Sequence, residues 1–250
     1  MLMPKVAICY WGICRSTNYT IDSIKTNVYD VLNENNIKYD VFLHTFKINR
    51  EYKNGRSGEP TMQLNNELYT ILNANYLEVE DQDIVDTKLD LPAYRTHGDP
   101  WFIPVNPSIN FESFDNHIRA LYSLYKVTKM YELRKSEYDA VIFMRPDMKY
   151  LHKINPAWLT IKDNLILTPD FHQDLPMNDR FAIAKERAAL KYGLRYLDAL
   201  EYSKQRPLHS EYFLYNILKR ENLEIIDIPF RFRRIRATGQ EVDLWIKAPS

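Results

Sequence analysis

YDAVIFMRPDMKYL, residues 138–151, opens with a polar pair and runs through five apolar residues, Ala140 to Met144. It then meets Arg145, Pro146 and Asp147 together. The apolar run predicts a buried strand. Pro146 fixes φ and removes a backbone donor, so the ladder must end there. If the strand lies centrally in a parallel sheet, its carboxyl end borders the crevice where such sheets bind ligands. An arginine there can pair with phosphate oxygens through its fork of donors. A carboxylate there can hold a hard divalent cation that also touches a diphosphate. The plain alternative is an Arg145–Asp147 surface pair where the strand leaves for solvent.

The flanking sequence supplies the rest of such a sheet. Lys5–Tyr10 reads as a buried strand, and Trp11–Thr17 as a loop. Ile21, Ile24, Val28 and Val31 recur at helical spacing and predict a helix over roughly 20–33. Tyr39–Thr45 reads as a second buried strand, which completes a β-α-β unit. Residues 47–110 are rich in Gly and Pro and predict an irregular insertion, with one or two short helices and a strand near Tyr76–Val79. Ile118, Leu121, Tyr122 and Tyr125 predict a long helix reaching about Arg134. Strands are expected at 164–168, 181–184 and 223–228, and helices at 185–203 and 209–220. FRFRRIR, 230–236, alternates like an edge strand that uses charge against aggregation. The expectation is one α/β domain over 1–250, a mostly parallel sheet flanked by helices.

Bulk properties narrow the chemistry. The 33 basic and 33 acidic residues cancel, which argues against a general nucleic-acid or membrane-surface binder. No apolar run is long enough to span a bilayer. Cys9 and Cys14 match no zinc or haem spacing and form no disulfide framework, so a reducing, cytoplasmic setting is expected. The sequence lacks GxGxxG after the first strand, GxxxxGK[ST], HExxH and GxSxG. Dinucleotide oxidoreductase, P-loop, zinc-protease and α/β-hydrolase readings lose their main support.

Candidate site residues follow from position. Tyr10, Trp11, Gly12 and Arg15 follow the first strand. There an aromatic can lie against a base, and backbone amides and an arginine can meet phosphates. His44 and Thr45 end the second strand and can touch base or ribose; His44 can equally be a satisfied core histidine. Asp179 and Glu211 are candidates for a catalytic base or acceptor-hydroxyl ligand. Their plain roles are pairing with Arg180 and a first-turn helix acid. His209 can be a third metal or phosphate ligand, and its plainer role is capping, with Ser210, the helix that follows. Of Arg231, Arg233, Arg234 and Arg236, one face can present two guanidinium groups to a diphosphate.

The order of these stretches resembles GT-A type nucleotide-sugar glycosyltransferases, small polysaccharide-type transferases of bacteria and large DNA viruses. VAICYWGICRS (6–16), YDVFLHTF (39–46), YDAVIFMRPDMKYL, MNDRFAIA (177–184) and HSEYFLYNIL (209–218) carry the likeness. It covers about two-thirds of the chain and leaves out most of 47–110. The resemblance implies a GT-A-like, Rossmann-type fold and transfer of a sugar from a nucleotide diphosphate donor to a hydroxyl of a glycan or glycoprotein. It also implies a divalent metal, Mn²⁺ or Mg²⁺, usually held by D-x-D. Arg145-Pro146-Asp147 replaces the first carboxylate of that motif. Either Asp147 holds the metal with waters and phosphate oxygens, or Arg145 neutralises the diphosphate. The alternatives are a non-catalytic nucleotide-sugar or glycan-binding module with this fold, or another nucleotide-using α/β enzyme, a nucleotidyltransferase or phosphoesterase.

Overall fold

The computed structural model describes residues 4–55, 58–101, 111–171 and 176–242. Strand β1 (Lys5–Trp11) leads through α1 (Thr17–Ile24), a π-helical stretch (Lys25–Tyr29) and α2 (Asp30–Glu34) into β2 (Lys38–Lys47). A hairpin, β3 (Tyr52–Asn54) and β4 (Glu59–Met62), precedes β5 (Tyr76–Asp81) and α3 (Gln82–Asp86). The long helix α4 (Glu112–Glu132) leads to β6 (Ala140–Met144) and β7 (Met148–Tyr150). Then come β8 (Leu165–Pro169), β9 (Ala182–Ala184), α5 (Glu186–Gly193), α6 (Tyr196–Gln205) and α7 (Ser210–Arg220). Strands β10 (Glu224–Ile228), β11 (Phe232–Ile235) and β12 (Glu241–Val242) follow.

The central sheet has seven strands in the order β10-β8-β9-β6-β1-β2-β5. All neighbours are parallel except β9, which runs antiparallel to both β6 and β8. Successive side chains of β1 enter opposite layers. Val6, Ile8 and Tyr10 pack with Ile24, Val28 and Leu32; Ala7, Cys9 and Trp11 pack with Leu124 and Val127. A strand covered on both faces needs apolar residues at every position, which is why the 140s run shows no alternation. The mostly parallel sheet flanked by helices is the architecture expected from the sequence.

Three details differ from expectation. The insertion contributes β5 to the main sheet as its edge, paired with β2. The predicted helix over 185–203 is two helices. It breaks after Gly193, where the Arg195 guanidinium donates to the Tyr192 carbonyl at 2.6 Å and so satisfies an end of α5. The 230–236 segment is not a lone edge strand. Strand β11 sits between β7 and β12 in a separate three-stranded sheet, and it turns Arg234 and Arg236 inward. Arg231 and Arg233 point outward to Asp170 and Glu241, as expected of a charged edge.

Gly193 also sets how closely α5 approaches α4. A Cβ at 193 would stand 2.5 Å from Thr128 Cγ2 and 2.7 Å from its Cβ, and Thr128 is fully buried. Gly193→Ala should therefore destabilise by about 1–3 kcal/mol despite its better helix propensity. Urea denaturation checks this, and an unchanged midpoint would refute the close packing.

Candidate active site

The strand that ends in Arg145-Pro146-Asp147 delivers its carboxylate into the interior. Asp147 is 1% exposed. Arg145 Nε donates to Oδ1 at 2.8 Å and Nη2 to Oδ2 at 3.0 Å, a bidentate fork. Arg15 Nη2, from the loop after β1, donates to Oδ2 at 3.2 Å. The turn is pinned by Tyr150, whose hydroxyl donates to the Arg145 carbonyl at 3.2 Å, and by Thr20, whose hydroxyl donates to the Pro146 carbonyl at 2.6 Å. Burial alone would raise the Asp147 pKa, but Arg145, then Arg15 and Arg234, hold it far below the usual carboxylate range.

The surrounding shell is arginine. Arg15 also donates to the Tyr52 hydroxyl and pairs with Glu59 at 3.4 Å; Arg236 pairs with Glu59 at 3.5 Å. Strand β11 brings Arg234 beside Asp147: residue 234 registers with Met148, and the Ile235 N–H donates to the Asp147 carbonyl at 2.9 Å. Among the described residues no hydrogen bond or ion pair reaches the Arg234 side chain. Burial, then Arg180, Arg236 and Arg145, push its pKa well down.

Gly12 lets Arg145 approach the first loop. A Cβ there would lie 3.5 Å from the guanidinium, and its φ of +95° lies where side chains are strained. The same guanidinium lies 4.9 Å over the Trp11 ring. The Gly12 N–H donates to Ser123 Oγ at 2.8 Å. Ser123 stands 2.8 Å from His44 Nδ1, and His44 Nε2 stands 2.9 Å from Glu80. Tyr10 and His44 are fully buried. Both side chains are engaged from within: the Tyr29 hydroxyl donates to Tyr10 at 3.0 Å, and His44 is held between Ser123 and Glu80. Thr45 and Arg15 line an open groove with Phe46, Leu64, Asn65 and Tyr69.

A second polar group lies on the other side of Arg145. Asp179 (7% exposed) and Glu211 (2% exposed) share Arg180, at 3.7 and 3.4 Å. Arg180 Nη2 donates to Glu211 Oε1 at 3.4 Å and the Ser210 hydroxyl donates to Oε2, so both its oxygens are occupied. Asp179 Oδ1 accepts no hydrogen bond, and Arg195 Nε and Nη2, Asn178 Nδ2 and His117 Nε2 are likewise buried and unpartnered. Burial lowers the His117 pKa to about 3, so it is neutral at pH 7. Asp179, although raised by burial, is held low by Arg180 and Arg195, and its charge acts on Arg145 too. Trp101 packs against His117 and His209, with centroids 5.4 and 5.1 Å away. Sequence reading singled out the 93–102 segment that carries Trp101 but missed Arg195 and His117. No short motif marks them, since they come from separate elements.

The arrangement does not suit a divalent cation at Asp147. Both carboxylate oxygens already accept guanidinium hydrogens, and the next charged neighbours are further arginines. A different trio, His44, Glu78 and Glu80, has ligand atoms within 4.8 Å of one another and could hold a cation. Lys126 already lies against both glutamates there.

No protein-family model matches this chain, and no curated protein matches it in sequence. Among solved structures it is similar to mouse xyloside xylosyltransferase 1 in its apo form: 10% identity, TM-score 0.42, covering 91% of this chain and 85% of that one. It is also similar to a glycosyltransferase involved in glycosylation of the major capsid of PBCV-1: 8% identity, TM-score 0.40, covering 91% and 82%. A third is a putative glucose-1-phosphate thymidylyltransferase from Bacillus anthracis: 9% identity, TM-score 0.40, covering 93% and 89%. Likeness at this level carries no inference about activity, which must rest on the residues of the site. Among the described residues no helix is long and apolar enough to cross a membrane.

Proposed function

We propose that the chain transfers a sugar from a nucleotide diphosphate donor to a hydroxyl of a glycan or glycoprotein acceptor. One observation supports this most: a part-buried cluster of arginines around the buried Asp147, at the carboxyl ends of β1 and β6, with more guanidinium groups than that carboxylate can balance. Buried cations without counter-ions are costly. A ligand that brings several anionic oxygens to that point relieves the cost, and a diphosphate does so.

Residues on either side of these arginines offer groups suited to the remainder of such a donor. The groove of Thr45, Phe46, Leu64, Asn65 and Tyr69 starts at Arg15 and offers an aromatic face and an amide to a base. On the far side of Arg145, the unpartnered atoms of Asp179, Arg195, Asn178 and His117 supply donors and acceptors suited to sugar hydroxyls. In the reaction the acceptor oxygen bonds the anomeric carbon and passes its proton to Asp179 Oδ1. The bond from that carbon to the diphosphate breaks, and its electron pair goes to the leaving phosphate oxygen. The arginines stabilise the charge that develops there, already oriented by Asp147 before the substrate arrives. Glu211, with both oxygens engaged, holds Arg180 in place.

Thermal unfolding with UDP- and GDP-sugars tests the reading. Ligand at about 100 times its Kd adds about 2.7 kcal/mol, a rise of roughly 5–10 °C in Tm for a chain of this size. No shift with any uridine or guanosine diphosphate sugar at millimolar concentration would sink the proposal.

A further inference from the structure

We infer that this site binds a diphosphate without a divalent cation, its arginines standing in for the metal. The inference builds on the nucleotide-sugar reading and names how that substrate's charge is met. The motif that resembles a metal site is occupied by protein cations. Asp147 spends both oxygens on Arg145 and Arg15, at 2.8, 3.0 and 3.2 Å, and is 1% exposed. A metal ion would have to displace a bidentate fork and then sit among Arg15, Arg145 and Arg234, with like charges on every side.

Charge counting gives the same answer independently. Among the described residues Arg236 pairs off with Glu59. Around Asp147 that leaves Arg15, Arg145 and Arg234, three cations against one carboxylate. The surplus is two positive charges. A diphosphate diester carries two negative charges at neutral pH, one on each phosphorus, so protein and donor cancel with nothing added. A divalent cation would leave the surplus standing in a buried place, where uncompensated charge is expensive. Arg234 is the residue this assignment turns on. Its side chain has no hydrogen-bond or ion-pair partner among the described residues, and it is crowded by Arg180, Arg236 and Arg145. Asp147 then acts as a positioning residue: it aims two guanidinium groups and touches neither metal nor substrate.

Isothermal titration with inorganic pyrophosphate, UDP and GDP, each in EDTA and again with Mn²⁺, tests this on the native protein and on Arg234→Met. Expected is binding in EDTA that Mn²⁺ improves by less than about threefold, well under one charge-assisted contact. Arg234→Met should weaken it by about 10- to 100-fold, the worth of such a contact. The variant removes an unbalanced cation, so its Tm should equal or exceed the native value, which separates lost binding from lost folding. Binding seen only with Mn²⁺, or undiminished in Arg234→Met, overturns the inference. If pyrophosphate binds in EDTA but neither nucleotide does, the arginine assignment stands and the nucleotide-sugar reading fails. If nothing binds under either condition, both fail.

Discussion

Asp147→Ala should cost about 3–5 kcal/mol of folding stability, the usual consequence of removing one partner from a buried ionic group. For a chain of this length that is a fall of roughly 10 °C in Tm. The reason lies in what remains. Arg15 and Arg145 would keep their positions, since Arg15 is also tied to Tyr52 and Glu59 and Arg145 lies over Trp11. Both would lose their shared anion, and Arg234 would lose the one attraction opposing its arginine neighbours. Asp147→Asn keeps the shape and one acceptor oxygen, so its loss should be smaller. The pH profile gives a separate check. A carboxyl held far below its ordinary pKa contributes stability that is present above about pH 4, and loses it as the pH falls further. Native protein should therefore weaken steeply in acid, and Asp147→Ala should show a shallower acid limb. Equal stability of variant and native protein at pH 7 would show that the carboxylate does not hold the arginine cluster together.

Asp179→Asn should lower kcat by about 10²- to 10⁴-fold, the range for loss of a general base. Nucleotide diphosphate affinity should change little, because the arginines around Asp147 remain. The comparison that gives this meaning is Glu211→Gln. Glu211 lies nearby and is just as buried, but Ser210 and Arg180 already occupy its oxygens. Its substitution should mainly lower stability. Asp179 Oδ1 accepts no hydrogen bond in the resting protein, which leaves it open to an incoming hydroxyl. Measuring kcat and KM separately for both variants decides the matter. A loss below about tenfold for Asp179→Asn, or equal losses in the two, would remove Asp179 from the chemistry.

The strands and helices were legible because their apolar patterns are regular. The β-α-β start, the long helix before the 140s strand and the late 209–220 helix all follow from hydrophobic spacing. The split between α5 and α6 was not legible, because its cause is a side chain, Arg195, returning to a carbonyl three residues earlier. Direction was also hidden. Nothing in Phe181–Ala184 says that this strand runs against both neighbours. In the site, proximity to strand ends singled out Arg145, Asp147, Arg15 and Thr45 together with Tyr10 and His44, and it could not tell which way each side chain turns, since one register step decides which side a residue takes. The alternating arginines of 230–236 read as a charged edge. Half of them are, and the other half line the interior, because a small sheet formed with Met148–Tyr150 turns that face toward Asp147.

That small sheet has a bearing on how the molecule matures. Strands β1, β2 and β5 come from the first third of the chain, yet the anion site needs Arg15, Asp147 and Arg234 together, from positions spread across most of the sequence. Contacts so distant in sequence form late. As the chain leaves the ribosome, its sheet can begin to assemble long before it acquires any grip on a phosphate. A nascent chain that has not yet added β11 should therefore gain nothing from nucleotide in its surroundings, whereas the finished protein should gain stability from it if the arginines take a diphosphate as proposed.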